Sequence, residues 1–112
     1  QPKQQEMKMK TKTVAEIILD QIGGNKFIVM TGAKHLIDGG KYLSFKLPGG
    51  NFSKYNYVKI TLSPDDLYDI ELGNIKRSKG VLEYKKRVDE TGIYADQLVQ
   101  ILEGHTGLNF SL

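Results

Sequence analysis

The chain has no cysteine among its 112 residues, which excludes a disulfide scaffold and thiolate metal sites. No apolar run approaches the ~18 residues that a membrane-spanning helix needs. The first dozen residues are polar and basic and carry no signal-peptide pattern. The expectation is a cytoplasmic protein with no membrane partner. Histidine is scarce: His35 lies in a Gly/Lys loop, where a solvated side chain is its ordinary role. His105 lies just past an expected helix end, where a cation meets the negative end of the dipole.

Catalytic signatures are missing as well. There is no Gly-x-Ser-x-Gly elbow. Gly40-Lys41 is followed by Tyr42 and lacks the upstream glycine of a phosphate loop. Gly32-Ala33-Lys34 could offer backbone N–H groups to an anion, but without a following helix a tight turn is the simpler reading. Asp65, Asp66, Asp69 and Glu71 do not fit the spacing of a calcium loop. No catalytic residue, metal ligand or cofactor site is expected, and the protein reads as a non-enzyme.

What is present is alternation. Leu43, Phe45 and Leu47 share one parity in Tyr42–Leu47, and Val58, Ile60 and Leu62 share one in Tyr57–Leu62. Successive strand side chains point to opposite faces, so each segment has an oily face and an aromatic-basic face. A Pro-Gly-Gly-Asn loop between them predicts an antiparallel hairpin. Leu67–Leu72 alternates again, and a bulge is expected at Gly73-Asn74, because Ile75 has the opposite parity to Leu72. After a turn at Ser78-Lys79-Gly80, Val81–Val88 forms a fifth candidate strand, with Leu82, Tyr84 and Val88 inward.

Upstream, Thr13-Val14-Ala15-Glu16 is a capping box opening a helix with Val14, Ile17, Ile18 and Ile22 on one stripe, stopped by Gly23-Gly24. Phe27-Ile28-Val29-Met30 is short, unbroken and flanked by glycine, which predicts a buried central strand. Tyr94, Leu98, Ile101 and Leu102 mark a second helix, stopped near Gly104. Residues 1–12 form a flexible basic tail and 13–112 a single domain. The expected fold is α+β: an antiparallel meander of four to five strands with an N-terminal and a C-terminal helix packed on one face.

Charge is segregated. Lys76, Arg77, Lys79, Lys85, Lys86 and Arg87 face Glu83 alone in residues 76–87, whereas residues 63–71 are purely acidic. Such a field suits a polyanion, or is simply a solvated surface. In-register pairing of Leu47 with Val58 and Phe45 with Ile60 would set Lys46 opposite Lys59. That arrangement is either an anion site or a charge ladder neutralised by Glu71, which the next hairpin places opposite Lys59. Tyr42 and Tyr57 flank these lysines, an interleaving that can stack bases and track phosphates.

The blocks Gly23–Lys34 (GGNKFIVMTGAK), Leu43–Pro48 (LSFKLP), Asn56–Leu62 (NYVKITL) and Asp66–Glu71 (DLYDIE) resemble a family of small proteins encoded by bacterial phages and integrated mobile elements. The resemblance implies a bacterial cytoplasm and a product that handles nucleic acid or a host protein. It carries over no functional residues. The expected partner is DNA or RNA, bound through Tyr42, Lys46, Tyr57, Lys59, Lys76, Arg77, Lys79, Lys85, Lys86 and Arg87. The alternative is a module that binds a host protein such as a defence nuclease, through a sheet edge, the tyrosine-bearing loop 48–57 or the acidic patch 65–71. Homodimerisation through a sheet edge is compatible with either.

Overall fold

A computed structural model describes residues 12–48 and 54–110. The expected tail over residues 1–12 lies, apart from Lys12, outside the described residues, as does the centre of the loop after Pro48. The elements run α1 (Val14–Ile22), α2 (Gly24–Thr31), β1 (Lys34–Asp38), β2 (Tyr42–Lys46), β3 (Tyr57–Leu62), β4 (Tyr68–Ser78), β5 (Val81–Ile93), a 3₁₀ turn (Ala95–Gln97) and α3 (Leu98–Thr106). The five strands form one antiparallel meander in the order β1-β2-β3-β4-β5. The class is α+β.

The capping box forms as expected. The Thr13 N–H donates to Glu16 Oε1 at 2.8 Å and the Glu16 N–H to Thr13 Oγ1 at 3.1 Å. Ile18 and Ile22 of α1 and Leu98 and Leu102 of α3 are buried in one core with Leu43, Phe45, Val58, Ile60, Ile70 and Leu72. All six strand residues have the same parity within their strands, so the helices cover one sheet face and leave the other open.

The expected central strand over Phe27–Met30 is instead helix α2. Gly23, at φ +126°, ends α1 and lets the chain re-enter a helix at once. Phe27 and Thr31, four residues apart, are buried on one side, while Val29 is 81% exposed. A buried strand would have hidden Val29 and an adjacent residue alike; one turn of helix hides every third or fourth. Phe27 lies 5.0 Å from Phe45 and 4.9 Å from Phe110, ring centre to ring centre. The strand that α2 vacates is supplied by Lys34–Asp38, which forms β1 at the sheet edge.

Two further expectations are corrected. The β2–β3 register is offset by two residues, pairing Phe45 with Val58, Leu43 with Ile60, Ser44 with Lys59 and Lys46 with Tyr57. Parity survives, but Lys46 does not face Lys59. The bulge near Gly73 sits on the opposite strand: Leu72 pairs with Val88 and Gly73 with Lys86, leaving Arg87 as the extra residue in β5. β4 therefore runs unbroken, and the parity change falls on β5. Leu82 and Tyr84 turn outward, 58% and 41% exposed, instead of inward. Val88 alone of the three packs against the core.

β3 begins at Tyr57, opposite Gly73, yet Asn56 prolongs its ladder with its side chain. Its Nδ2 donates to Ile75 O at 2.8 Å and its Oδ1 accepts from Ile75 N at 2.7 Å. Beyond Ile75 the β4–β5 ribbon is two-stranded and projects ~10 Å, at ~3.3 Å per residue. The turn at its tip has Lys79 at φ +51° and Gly80 at φ +79°, the positive pair that matches the twist of a two-residue hairpin. The molecule measures 53 × 31 × 31 Å. The second helix also outruns its expected stop: α3 passes through Gly104 and ends at Gly107, so His105 lies in its last turn.

Two alanine variants test α2 directly. Phe27→Ala costs ~3–5 kcal/mol by loss of a buried aromatic, whereas Val29→Ala stays within ~0.5 kcal/mol, both read by urea denaturation. A comparable loss at both positions contradicts the helix.

Candidate nucleic-acid interface

Register assigns each side chain of the open face. β2 contributes Tyr42, Ser44 and Lys46, and β3 contributes Tyr57, Lys59 and Thr61. Opposite them β4 places Asp69, Glu71, Gly73, Ile75 and Arg77, and β5 places Asp89, Lys86, Tyr84 and Leu82. Lys34 and Ile37 of β1 join through their pairing with Lys46 and Ser44. Ser44 is only 2% exposed despite lying on this side, between Ile37 of β1 and Lys59 of β3.

The expected site residues are divided. Tyr42, Lys46, Tyr57 and Lys59 share the open face, and Arg77 and Lys86 continue it onto the arm. Lys76, Lys85 and Arg87 lie on the reverse side of the arm, where they line a cleft of ≈150 Å³ with Asn74 and Glu83. Lys79 occupies the turn at the tip. Five of the six bases of this hairpin therefore fall on two sides, back to back, with Lys79 between them at the tip. Asn74 organises the reverse patch: its Nδ2 donates to Lys54 O at 3.1 Å and its Oδ1 accepts from Arg87 Nε at 3.3 Å.

Local partners tune the open face. Lys59 Nζ lies 4.5 Å from the centre of the Tyr42 ring, a cation–π contact between diagonal neighbours. Glu71 is opposite Lys59 in register, as expected, but its Oε2 accepts a hydrogen bond from the Tyr84 hydroxyl at 2.7 Å. Lys86 pairs with Asp89 at 3.1 Å, which raises its pKa through that hydrogen bond and the carboxylate charge. The acidic segment is likewise occupied locally. Asp65 accepts from the Ser63 hydroxyl, which lowers its pKa, and Asp69 Oδ1 accepts from Gly92 N at 3.4 Å.

Tyr84 is the residue that sequence reasoning misplaced. Its ring packs on Gly73 and meets the Tyr57 ring edge-on at 5.1 Å. A Cβ at Gly73 would lie 2.5 Å from Tyr84 Cε1 and 2.4 Å from Lys85 O, so only glycine admits this approach. The covered ring and the hydrogen bond to Glu71 raise the phenol well above its ordinary 10.0, desolvation being the larger cause. Lys34 is the other omission. The sequence puts it in a tight turn, and only the edge pairing of β1 brings it opposite Lys46.

On the helix side, His105 contacts the Glu90 carboxylate of β5. Among the described residues no group of three or more histidines and carboxylates gathers as metal ligands, and no helix is long and apolar enough to cross a membrane. No family model, no curated protein and no solved structure matches this chain.

The phenol at position 84 gives a pH prediction. Its raised folded-state pKa means that its neutral form supports the fold fully below pH ~10. That support is lost as pH rises through the folded value. Ultraviolet titration should show one tyrosine ionising after the others. Tyr84→Phe should remove that last step, and Gly73→Ala should lower its pKa while destabilising the protein by ~1–3 kcal/mol. A titration in which every phenol ionises together contradicts this packing.

Proposed function

We propose that this protein is a non-enzymatic nucleic-acid-binding accessory factor of a phage or mobile element, acting in a bacterial cytoplasm and holding a single strand across the open sheet face. The observation that carries the reading is the convergence of Tyr42, Tyr57, Lys46 and Lys59 on the one face the helices leave uncovered, with Arg77 extending it along the arm. Aromatic rings on an open sheet stack bases regardless of sequence, and interleaved ammonium groups follow the phosphates. The contact of Lys59 with Tyr42 keeps both side chains on the surface; an arriving base exchanges with the ammonium, which moves to a phosphate. The reverse patch of Lys76, Lys85 and Arg87, with Lys79 at the tip, adds long-range attraction.

Fluorescence anisotropy with labelled single- and double-stranded oligonucleotides at low and moderate salt tests this. Affinity should fall steeply with salt, with a log–log slope of ~0.7 per neutralised phosphate of a single strand. Tyr42→Ala with Tyr57→Ala should cost ~1–3 kcal/mol per stacked base. The combined alanine variant of Lys76, Arg77, Lys85, Lys86 and Arg87 should flatten the salt slope. Unchanged affinity for DNA and RNA in that variant overturns the proposal.

A second reading is favoured by one observation: Val81 and Leu82 are exposed at the tip of the arm, and the adjoining β5 edge pairs with no further strand among the described residues. An apolar tip beside an open edge suits a host protein that adds a strand. Capture from bacterial lysate that survives nuclease treatment supports this reading, and capture that nuclease abolishes supports nucleic acid.

A further inference from the structure

At the start of β1 the edge of the sheet holds a cavity of ≈210 Å³ lined by Gly32, Lys34, His35, Lys46, Leu47 and Pro48. Two of these side chains are ammonium groups and a third is an imidazole, and among the described residues no carboxylate lines the cavity. Lys34 is directly opposite Lys46 in the β1–β2 ladder. Like charges facing across a pair of strands cost stability, and among the described residues neither ammonium is paired with a carboxylate.

The backbone is irregular at the same place. The β1–β2 register slips between Lys34 and Ile37, inserting one extra residue in β1. His35 has φ +55°, a left-handed conformation uncommon for a residue with a side chain. The slip has a consequence for each neighbour. It lets Leu36 pack against the core beneath α1 while His35 lines the cavity on the other side. A regular strand could not bring Lys34, His35 and Lys46 round one space. Bulges and strained residues of this kind recur where a side chain is re-aimed for function.

We infer that this cavity is a binding site for a phosphomonoester, with Lys34, Lys46 and His35 as its donors. A terminal phosphate carries about −1.5 to −2 charge at neutral pH and three acceptor oxygens, which matches two ammonium groups and an imidazole. An internal phosphodiester carries a single charge and calls for fewer cations. At roughly 30 Å³ per water-sized group, the space takes about seven such groups, enough for a phosphate and the first atoms of its ester. Lys46 belongs both to this cavity and to the open face, so a strand lying over Tyr57 can end here. The inference rests on the nucleic-acid reading only for the source of the phosphate, a strand end or a free mononucleotide.

The test uses the full chain and the variant Lys34→Gln/His35→Gln, both checked for folding by circular dichroism. Calorimetry with inorganic phosphate and adenosine monophosphate is run beside anisotropy with oligothymidine bearing a terminal phosphate or a terminal hydroxyl. The expected result is a preference of about tenfold or more for the phosphorylated strand, the scale of one or two charge-assisted hydrogen bonds, abolished in the variant. Affinity for the hydroxyl-ended strand should fall by a smaller factor than affinity for the phosphorylated strand, because Lys34 also belongs to the open face. Equal saturation by the free mononucleotide and the phosphorylated end supports the site with a small ligand as its source. Binding of phosphate and mononucleotide, lost in the variant, with no strand bound at all, keeps the site and removes the nucleic-acid reading. Indifference to a terminal phosphate together with no binding of phosphate or mononucleotide overturns the inference, as does a preference that the variant retains.

Discussion

Everything in this molecule depends on the sheet being covered on one face only. Val58 and Ile60 of the central strand are fully buried, between Leu43 and Phe45 on one side and Ile70 and Leu72 on the other. Helices α1 and α3, Phe27 of α2 and Phe110 complete that core. Because side chains alternate along a strand, burying this set commits the intervening residues to the opposite face. The same constraint that hides their neighbours sets Lys46, which is exposed, and Tyr42, Tyr57 and Lys59, which are half-buried, on the other face. The open surface is thus a geometric consequence of the core.

The arm obeys the constraint until its bulge. With Arg87 inserted, β5 changes parity between Val88 and Lys86, so Val88 packs below while Tyr84 and Lys86 rise to the open face. Gly73 then makes room for the Tyr84 ring, and Glu71 accepts its hydroxyl. One extra residue therefore moves an aromatic ring onto the tyrosine face, while strand alternation divides the basic cluster over two sides. A comparable slip in β1 turns His35 towards Lys34 and Lys46. Both of these slips lie where charge is concentrated; a third, between Tyr68 and Ile70, adds a residue to β5 between Glu90 and Ile93.

The strongly alternating segments were legible from residues alone. Leu43/Phe45 and Val58/Ile60 define their faces without ambiguity, Thr13 and Glu16 announce a helix start, and Lys79-Gly80 announces a turn. Ile60 opposite Ile70 was also readable, because the Ser63–Asp66 turn between their strands is short and fixes the register. The β2–β3 loop is longer, and parity alone permits an offset of two, which is where Lys46 was misplaced. Phe27–Met30 failed for a different reason. Four apolar residues in a row fit one turn of helix as well as a buried strand, and the choice is made by Phe45 and Phe110, distant residues that pack on Phe27. The cavity at Lys34 was illegible because it needs Lys34 and His35 in an edge strand, where the sequence predicts a turn and a loop.

The account's central claim is that the uncovered sheet face is where a nucleic-acid strand lies. Its most direct measurement is an NMR titration of the full chain with oligothymidine, following every resolved backbone amide. The account predicts shifts concentrated at Tyr42, Lys46, Tyr57 and Lys59, extending to Arg77 on the arm, while α1 and α3 stay still. Shifts centred on the helices, or none at concentrations where an unrelated single-strand-binding protein is saturated, would contradict it.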